Sequence, residues 1–148
     1  GKTSYWRGYK LHLATGDGDV PLAAILTSAS LHDSQVAIPL MQKVSERATV
    51  LYDLADSAYD AEDIKNFSRK LGHVPIIDIN KRRSDAIMLS PAEKRRYCER
   101  SGVERTNSDL KDNYGVHHIR VKGHWKVLCH LMFSIIALTV KQLFNMLN

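Results

Sequence analysis

The sequence predicts a mixed α/β domain, short strands flanked by helices, and three observations carry that prediction. Short, mostly apolar runs suited to strands lie at 9–13, 20–27, 49–55 and 73–81. Between and after them come longer stretches whose apolar residues recur at helical spacing, bounded by capping residues and glycines. At 148 residues, with 44% hydrophobic and 25% charged content, the chain has the make-up of an ordinary soluble protein. Residues 1–148 therefore read as a single domain able to bury its own core.

The two runs at 9–13 and 20–27 flank the turn-rich TGDGD and form an antiparallel hairpin. Asp17 and Asp19 at its tip are better explained by turn chemistry than by catalysis. SASLHDSQ then leads into a helix bearing Val36, Ile38, Leu40, Met41 and Val44, with Pro39 near its start or kinking it. His32 and Asp33 are expected to cap and orient that helix. The run 49–55 is a strand of the buried kind, and it ends on Asp56. A helix follows, with Asp60 as N-cap, Asp63 in its first turn and Gly72 closing it.

Asp56 is thus left at the carboxyl end of a strand, where open α/β sheets place ligands. Asp53 competes with it, but three positions of a period-two strand turn the two side chains to opposite faces. After the strand 73–81 comes a basic surface loop, KRRSDAIMLS. Ser90, Pro91 and Glu93 then supply a helix start with cap, first-turn proline and capping-box acid. Arg95 and Arg96 sit in its opening turns, where the helix dipole disfavours cations and an anion offsets them. His124–Leu147 reads as one long helix, apolar on nearly all sides. Its uninterrupted stretch VLCHLMFSIIALTV is too short for a bilayer span, which makes it a core helix and not a membrane anchor.

Net charge of +5 and a pI near 9.3 are compatible with a polyanionic partner, and basic charge gathers between Lys81 and Arg100. Cys98 and Cys129 are far apart and form no C-x-x-C, so neither a disulfide framework nor a zinc ribbon is expected, and a reduced cytoplasm is the compartment that fits. His117 and His118 point in different directions and have no third ligand at useful spacing, which excludes them as a metal site.

The densest pattern lies at 97–111, YCERSGVERTNSDLK. Tyr97, Arg100, Glu104 and Lys111 stand at steps of three, four and seven, so a helix places all four on one face. Spacing alone is met by any solvated face with i,i+4 pairs. A carboxylate between two cations, however, also suits a hard divalent cation beside phosphate oxygens. Gly102 between them weakens the helix, which bends or starts late there.

The order Y-x2-R-x3-E-x6-K, with ADSAYD around Asp56 upstream and G-x-x-x-x-R-x-K-G from Gly115 to Gly123 downstream, resembles the DDE-type transposases of bacterial insertion sequences. The resemblance implies an RNase H-like mixed sheet with flanking helices. It implies Asp56 and Glu104 as two of three catalytic, metal-binding acids. Tyr97, Arg100 and Lys111 become DNA contacts at the element end, and Arg96, Arg105, Arg120 and Lys122 extend the basic surface. It implies a pair of Mg²⁺ ions, with Mn²⁺ as substitute, and DNA strand cleavage followed by strand transfer. Transposon ends and target DNA are the implied partners, no membrane is involved, and a homodimer forms in the DNA complex. Action at the bacterial nucleoid in the cytoplasm is the implied location. Thr139, Val140 and Lys141 depart from the Asn-Leu-Lys that relatives carry near the end of the last helix.

None of GKTSYWRG is acidic, so the first strand and its Asp are expected upstream of residue 1. On that expectation the chain is truncated at its N-terminus, leans on a partner to fold, and is inactive by itself. A non-catalytic DNA-binding remnant and another RNase H-like nuclease are the other readings.

Overall fold

The computed structural model describes residues 8–78 and 89–147. Strands β1 (Tyr9–Thr15) and β2 (Pro21–Ser28) form an antiparallel pair, with Tyr9 opposite Ser28 and a register shift at Ala14/Thr15. Helix α1 (Ser34–Ser45) follows, then β3 (Tyr52–Ala55), α2 (Glu62–Lys70) and β4 (Val74–Ile77). β3 and β4 are parallel, Tyr52 opposite Val74 and Ala55 opposite Ile77, with α2 as the crossover that parallel strands require. Helices α3 (Pro91–Tyr97), α4 (Ser101–Asn113) and α5 (His124–Leu147) complete the described chain. The architecture is mixed α/β, with two separate two-stranded sheets among the described residues.

Local chemistry accounts for most boundaries. The hairpin turns through Gly18 and Asp19, both with positive φ, at 68° and 61°, as expected of a D-G-D tip. Gly72, at φ 81°, ends α2 in the left-handed conformation that glycine adopts without steric cost. Ser90 caps α3 by accepting from the Glu93 N–H at 3.3 Å, while the Glu93 carboxylate accepts from the Ser90 N–H at 2.7 Å.

Several local expectations give way to tertiary contacts. Asp33 stands at the start of α1 but makes no capping bond; it pairs with Lys10 on β1 at 2.7 Å. Asp60 does not cap α2 either, since Ala61 holds that position and Asp60 pairs with Lys65 at 2.5 Å. Pro39 lies inside α1. The strands expected at 49–55 and 73–81 are shorter, at Tyr52–Ala55 and Val74–Ile77. The basic cluster Lys81, Arg82 and Arg83 falls outside the described residues.

Among the described residues, three clusters of buried side chains form much of the core. Leu13, Leu110, Ile135 and Leu138 join the hairpin to α4 and α5. Leu26, Val127 and Leu131 extend that contact along α5. Ala37, Ile64 and Ile77 join α1, α2 and β4. Polar groups buried with them are satisfied: Ser68 Oγ donates to Asp53 Oδ2 at 2.6 Å, and Ser134 Oγ donates to the Tyr114 carbonyl at 2.7 Å.

Candidate active site

The two acids singled out by the sequence arrive from different elements. β3 stops at Ala55, and Asp56 then caps the 3-10 turn Ser57–Tyr59, its Oδ1 accepting from the Ala58 N–H at 2.9 Å. The turn is tight enough to leave Asp56 half-buried at the carboxyl end of the parallel pair. Asp53 serves another purpose. Its Oδ2 meets Ser68 Oγ at 2.6 Å and His73 Nδ1 at 2.9 Å, so it ties β3 to α2 and to the entry of β4.

Glu104 comes from α4. The stretch from Ser90 onward does not run as one regular α-helix: α3 ends at Tyr97, a 3-10 turn spans Cys98–Arg100, and α4 begins at Ser101. The backbone nevertheless keeps right-handed helical angles at Tyr97, Cys98, Arg100 and Ser101. The row read from the spacing is therefore built. Arg100 Nη2 donates to Glu104 Oε1 at 2.8 Å, and the Arg100 guanidinium lies 5.5 Å from the centroid of the Tyr97 ring. Lys111 is exposed two turns further along α4.

Electrostatics connects this row to Asp56. Burial works against the charge of Arg100, but Tyr97, Glu104 and Asp56 together outweigh it and hold the guanidinium above its ordinary value. Burial likewise pushes the Tyr97 phenol up, opposed by Arg100 and reinforced by the charges of Asp78 and Asp56. One guanidinium thus feels both acids. Its Nε is buried with no hydrogen-bond partner among the described residues.

The remaining cations fall into different settings. Arg96 is exposed on α3, its guanidinium stacked 3.9 Å over the ring of Tyr52 on β3. Arg120 and Lys122 are exposed on the connector between α4 and α5. Arg105 is engaged elsewhere: its Nε and Nη2 reach the two carboxylate oxygens of Asp19 at 2.7 and 2.8 Å, and its Nη1 donates to Ser101 Oγ at 2.6 Å. Arg105 and Asp19 dock α4 on the hairpin turn, reinforced by Thr106 Oγ1 donating to the Asp19 carbonyl at 3.0 Å.

Sequence reasoning did not single out two residues of this neighbourhood. Asp78 follows β4, and its N–H donates to the Ala55 carbonyl at 3.1 Å, which sets it beside Asp56 at the same end of the sheet. The sequence placed Asp78 inside the strand expected at 73–81, and only the parallel pairing of β3 with β4, which ends at Ile77, sets it beside Asp56. Tyr52 was the other, readable only from the packing of α3 against β3. In kind, the donors fit a hard divalent cation, because the acids offer carboxylate oxygen and no thiolate or imidazole. Among the described residues no three His, Cys, Asp or Glu side chains lie close enough together to hold a metal ion by themselves.

Residues 1–140 match the family model described as the transposase DDE domain, and the chain belongs to that family. Over 140 residues, 81% of this chain, it is 26% identical to the "Probable transposase for insertion sequence element ISH11" of Halobacterium salinarum strain R1. The same figures hold for the protein of that name from strain NRC-1. The chain spans 42% of the length of these relatives. No solved structure matches it.

Proposed function

We propose that the chain forms part of the catalytic domain of an insertion-sequence transposase, and that it acts in metal-dependent cleavage and transfer of DNA strands at element ends. The observation that carries this reading is the Arg100–Glu104 pair beside Tyr97, with Asp56 within electrostatic reach of the same guanidinium. Asp56 and Glu104 are the residues that would hold Mg²⁺, or Mn²⁺ in its place. Such ions would supply Lewis-acid activation of the attacking oxygen and charge stabilisation of the leaving one in a displacement at phosphorus. Arg100 holds Glu104 in place, and its positive charge favours a phosphate brought beside the pair. Tyr97 stacks beside that guanidinium, while Lys111, Arg96, Arg120 and Lys122 neutralise the flanking backbone.

The fold reading is RNase H-like. Its support is the pair of two-stranded sheets, β2–β1 and β3–β4, and the acid at the end of β3. A strand lying between β1 and β3, parallel to β3, would join them into one mixed sheet and bring a third carboxylate beside Asp56.

Fluorescence anisotropy with a DNA duplex tests the contact face. Wild-type affinity falls steeply with salt, and Arg100→Ala lowers affinity and reduces the slope of log K against log salt by about 1. Equal slopes and affinities for the two proteins contradict the assignment of Arg100 to a phosphate.

A further inference from the structure

α5 is apolar on nearly all sides, yet the domain uses one of them. Val127, Leu131, Ser134, Ile135 and Leu138 are buried, in contact with the hairpin, α4 and the connector after it. On the opposite side Trp125, Phe133, Ile136, Val140, Leu143 and Leu147 leave between 47% and 82% of their surfaces exposed, and Cys129 is exposed among them. At 3.6 residues per turn these seven positions fall within a stripe about 80° wide, roughly diametrically opposite the buried face.

The order within the stripe is informative. Cys129, Phe133, Ile136, Val140, Leu143 and Leu147 are separated by four, three, four, three and four residues, the a/d spacing of a coiled-coil seam. A helix apolar all round ordinarily has partners all round. No charged side chain lies in the stripe. Lys126 flanks its first turn, and Lys141 is drawn aside to Asp109 at 3.1 Å.

The size fits a specific interface. At about 150–250 Å² per aromatic side chain, the exposed parts of Trp125 and Phe133 amount to about 300 Å². Four aliphatic side chains on the same stripe bring the face near the ~800 Å² per partner that a standard interface buries. That exceeds the scattered apolar exposure of a typical monomer surface.

The geometry points to a second copy of this chain as the occupant: α5 of one protomer packs along α5 of another about a two-fold axis, in the absence of DNA. A heptad seam is self-complementary, so the same stripe serves both sides of an isologous contact. The contact does not involve the acids or the basic face, so it stands or falls separately from the catalytic reading.

Sedimentation equilibrium of the whole chain without DNA tests it. At a loading on the order of 50 µM, ample for a micromolar contact, the wild type should sediment at twice 16.7 kDa. The double variant Ile136→Asp, Val140→Asp should sediment at 16.7 kDa with an unchanged far-ultraviolet dichroism spectrum. Maleimide alkylation of wild-type Cys129 gives a readout that needs no variant: dilution should speed it about tenfold, a 1.4 kcal/mol change in protection, while exposed Cys98 reacts at a constant rate. A monomeric wild type, a variant that stays dimeric, or Cys129 reactivity independent of dilution overturns the proposal. So does a monomer that partitions into neutral phosphatidylcholine vesicles, which would assign the stripe to lipid.

Discussion

Gly102 stands two residues after Arg100 and two before Glu104, so its packing fixes where the acid sits. A Cβ at this position would lie 2.6 Å from Asp19 Oδ1. Asp19 is not free to step aside, because Arg105 holds both of its carboxylate oxygens at 2.7 and 2.8 Å and Thr106 holds its carbonyl at 3.0 Å. Two effects therefore oppose each other in Gly102→Ala. Removing a glycine from a helix gains about 1 kcal/mol. Forcing a methyl into an occupied contact costs about 1–3 kcal/mol. Since the obstructing carboxylate is pinned, the cost wins, and Gly102→Ala destabilises the wild type by about 1 kcal/mol. In an Asp19→Gly background the obstruction is gone and the positive φ of residue 19 is retained at no steric cost. There the same substitution should stabilise by about 1 kcal/mol. Urea unfolding of the four proteins, with equal m values, reads both numbers. A stabilising Gly102→Ala in the wild type, or the same sign in both backgrounds, refutes the docking of α4 through Asp19.

Leu138, fully buried where α5 meets α4 and the hairpin, should cost about 2–5 kcal/mol when cut to alanine, whereas Leu143→Ala on the open stripe, measured at dilutions where the chain is monomeric, should change stability by less than about 0.5 kcal/mol; comparable urea midpoints for the two would place α5 wrongly. Asp33 provides a pH test. Its hydrogen bond to Lys10 outweighs burial and holds the carboxyl below its ordinary 3.8. The folded state therefore binds this proton less readily than the unfolded state. The stabilisation is present above the unfolded value and disappears as pH falls through the folded one. The Asp33 side chain is 40% exposed, so the effect stays under about 1 kcal/mol. The stability gap between wild type and Lys10→Ala should narrow on acidification below about pH 4, leaving the part that comes from the Lys10 Nζ bond to the Leu31 carbonyl at 3.1 Å; a gap unchanged by pH means that the Asp33 pairing contributes nothing.

The parts of the fold that could be read from the sequence were those set by local chemistry. The hairpin, the capping box at Ser90, the glycine stop at Gly72 and the long apolar helix each depend on residues within a few positions of one another. Asp33 and Asp60 resisted such reading because each was drawn from a capping position to a lysine, at 2.7 and 2.5 Å. At the candidate site, the helical steps from Tyr97 to Glu104 survived a 3-10 interruption because its backbone angles stay helical. The docking role of Arg105 was illegible, since its partner lies 86 positions away in the hairpin turn. Asp78 was overlooked for a related reason: only the pairing of β3 with β4 shows that it ends beside Asp56. The open face of α5 was equally hidden, because hydropathy shows that a helix is apolar but not how many of its sides the domain covers.

Iron(II) in place of magnesium tests most directly whether Asp56 and Glu104 face one cation beside the DNA. With ascorbate and peroxide, a bound iron generates hydroxyl radicals that cut polypeptide backbone close to the ion. In the DNA complex the cuts should cluster just after β3, near Asp56, and in the first turn of α4, near Glu104. Asp56→Asn or Glu104→Gln should abolish both clusters together, and excess Mg²⁺ should compete them away. Cuts confined to other segments, or clusters that survive both substitutions, would contradict a shared cation site at these two acids.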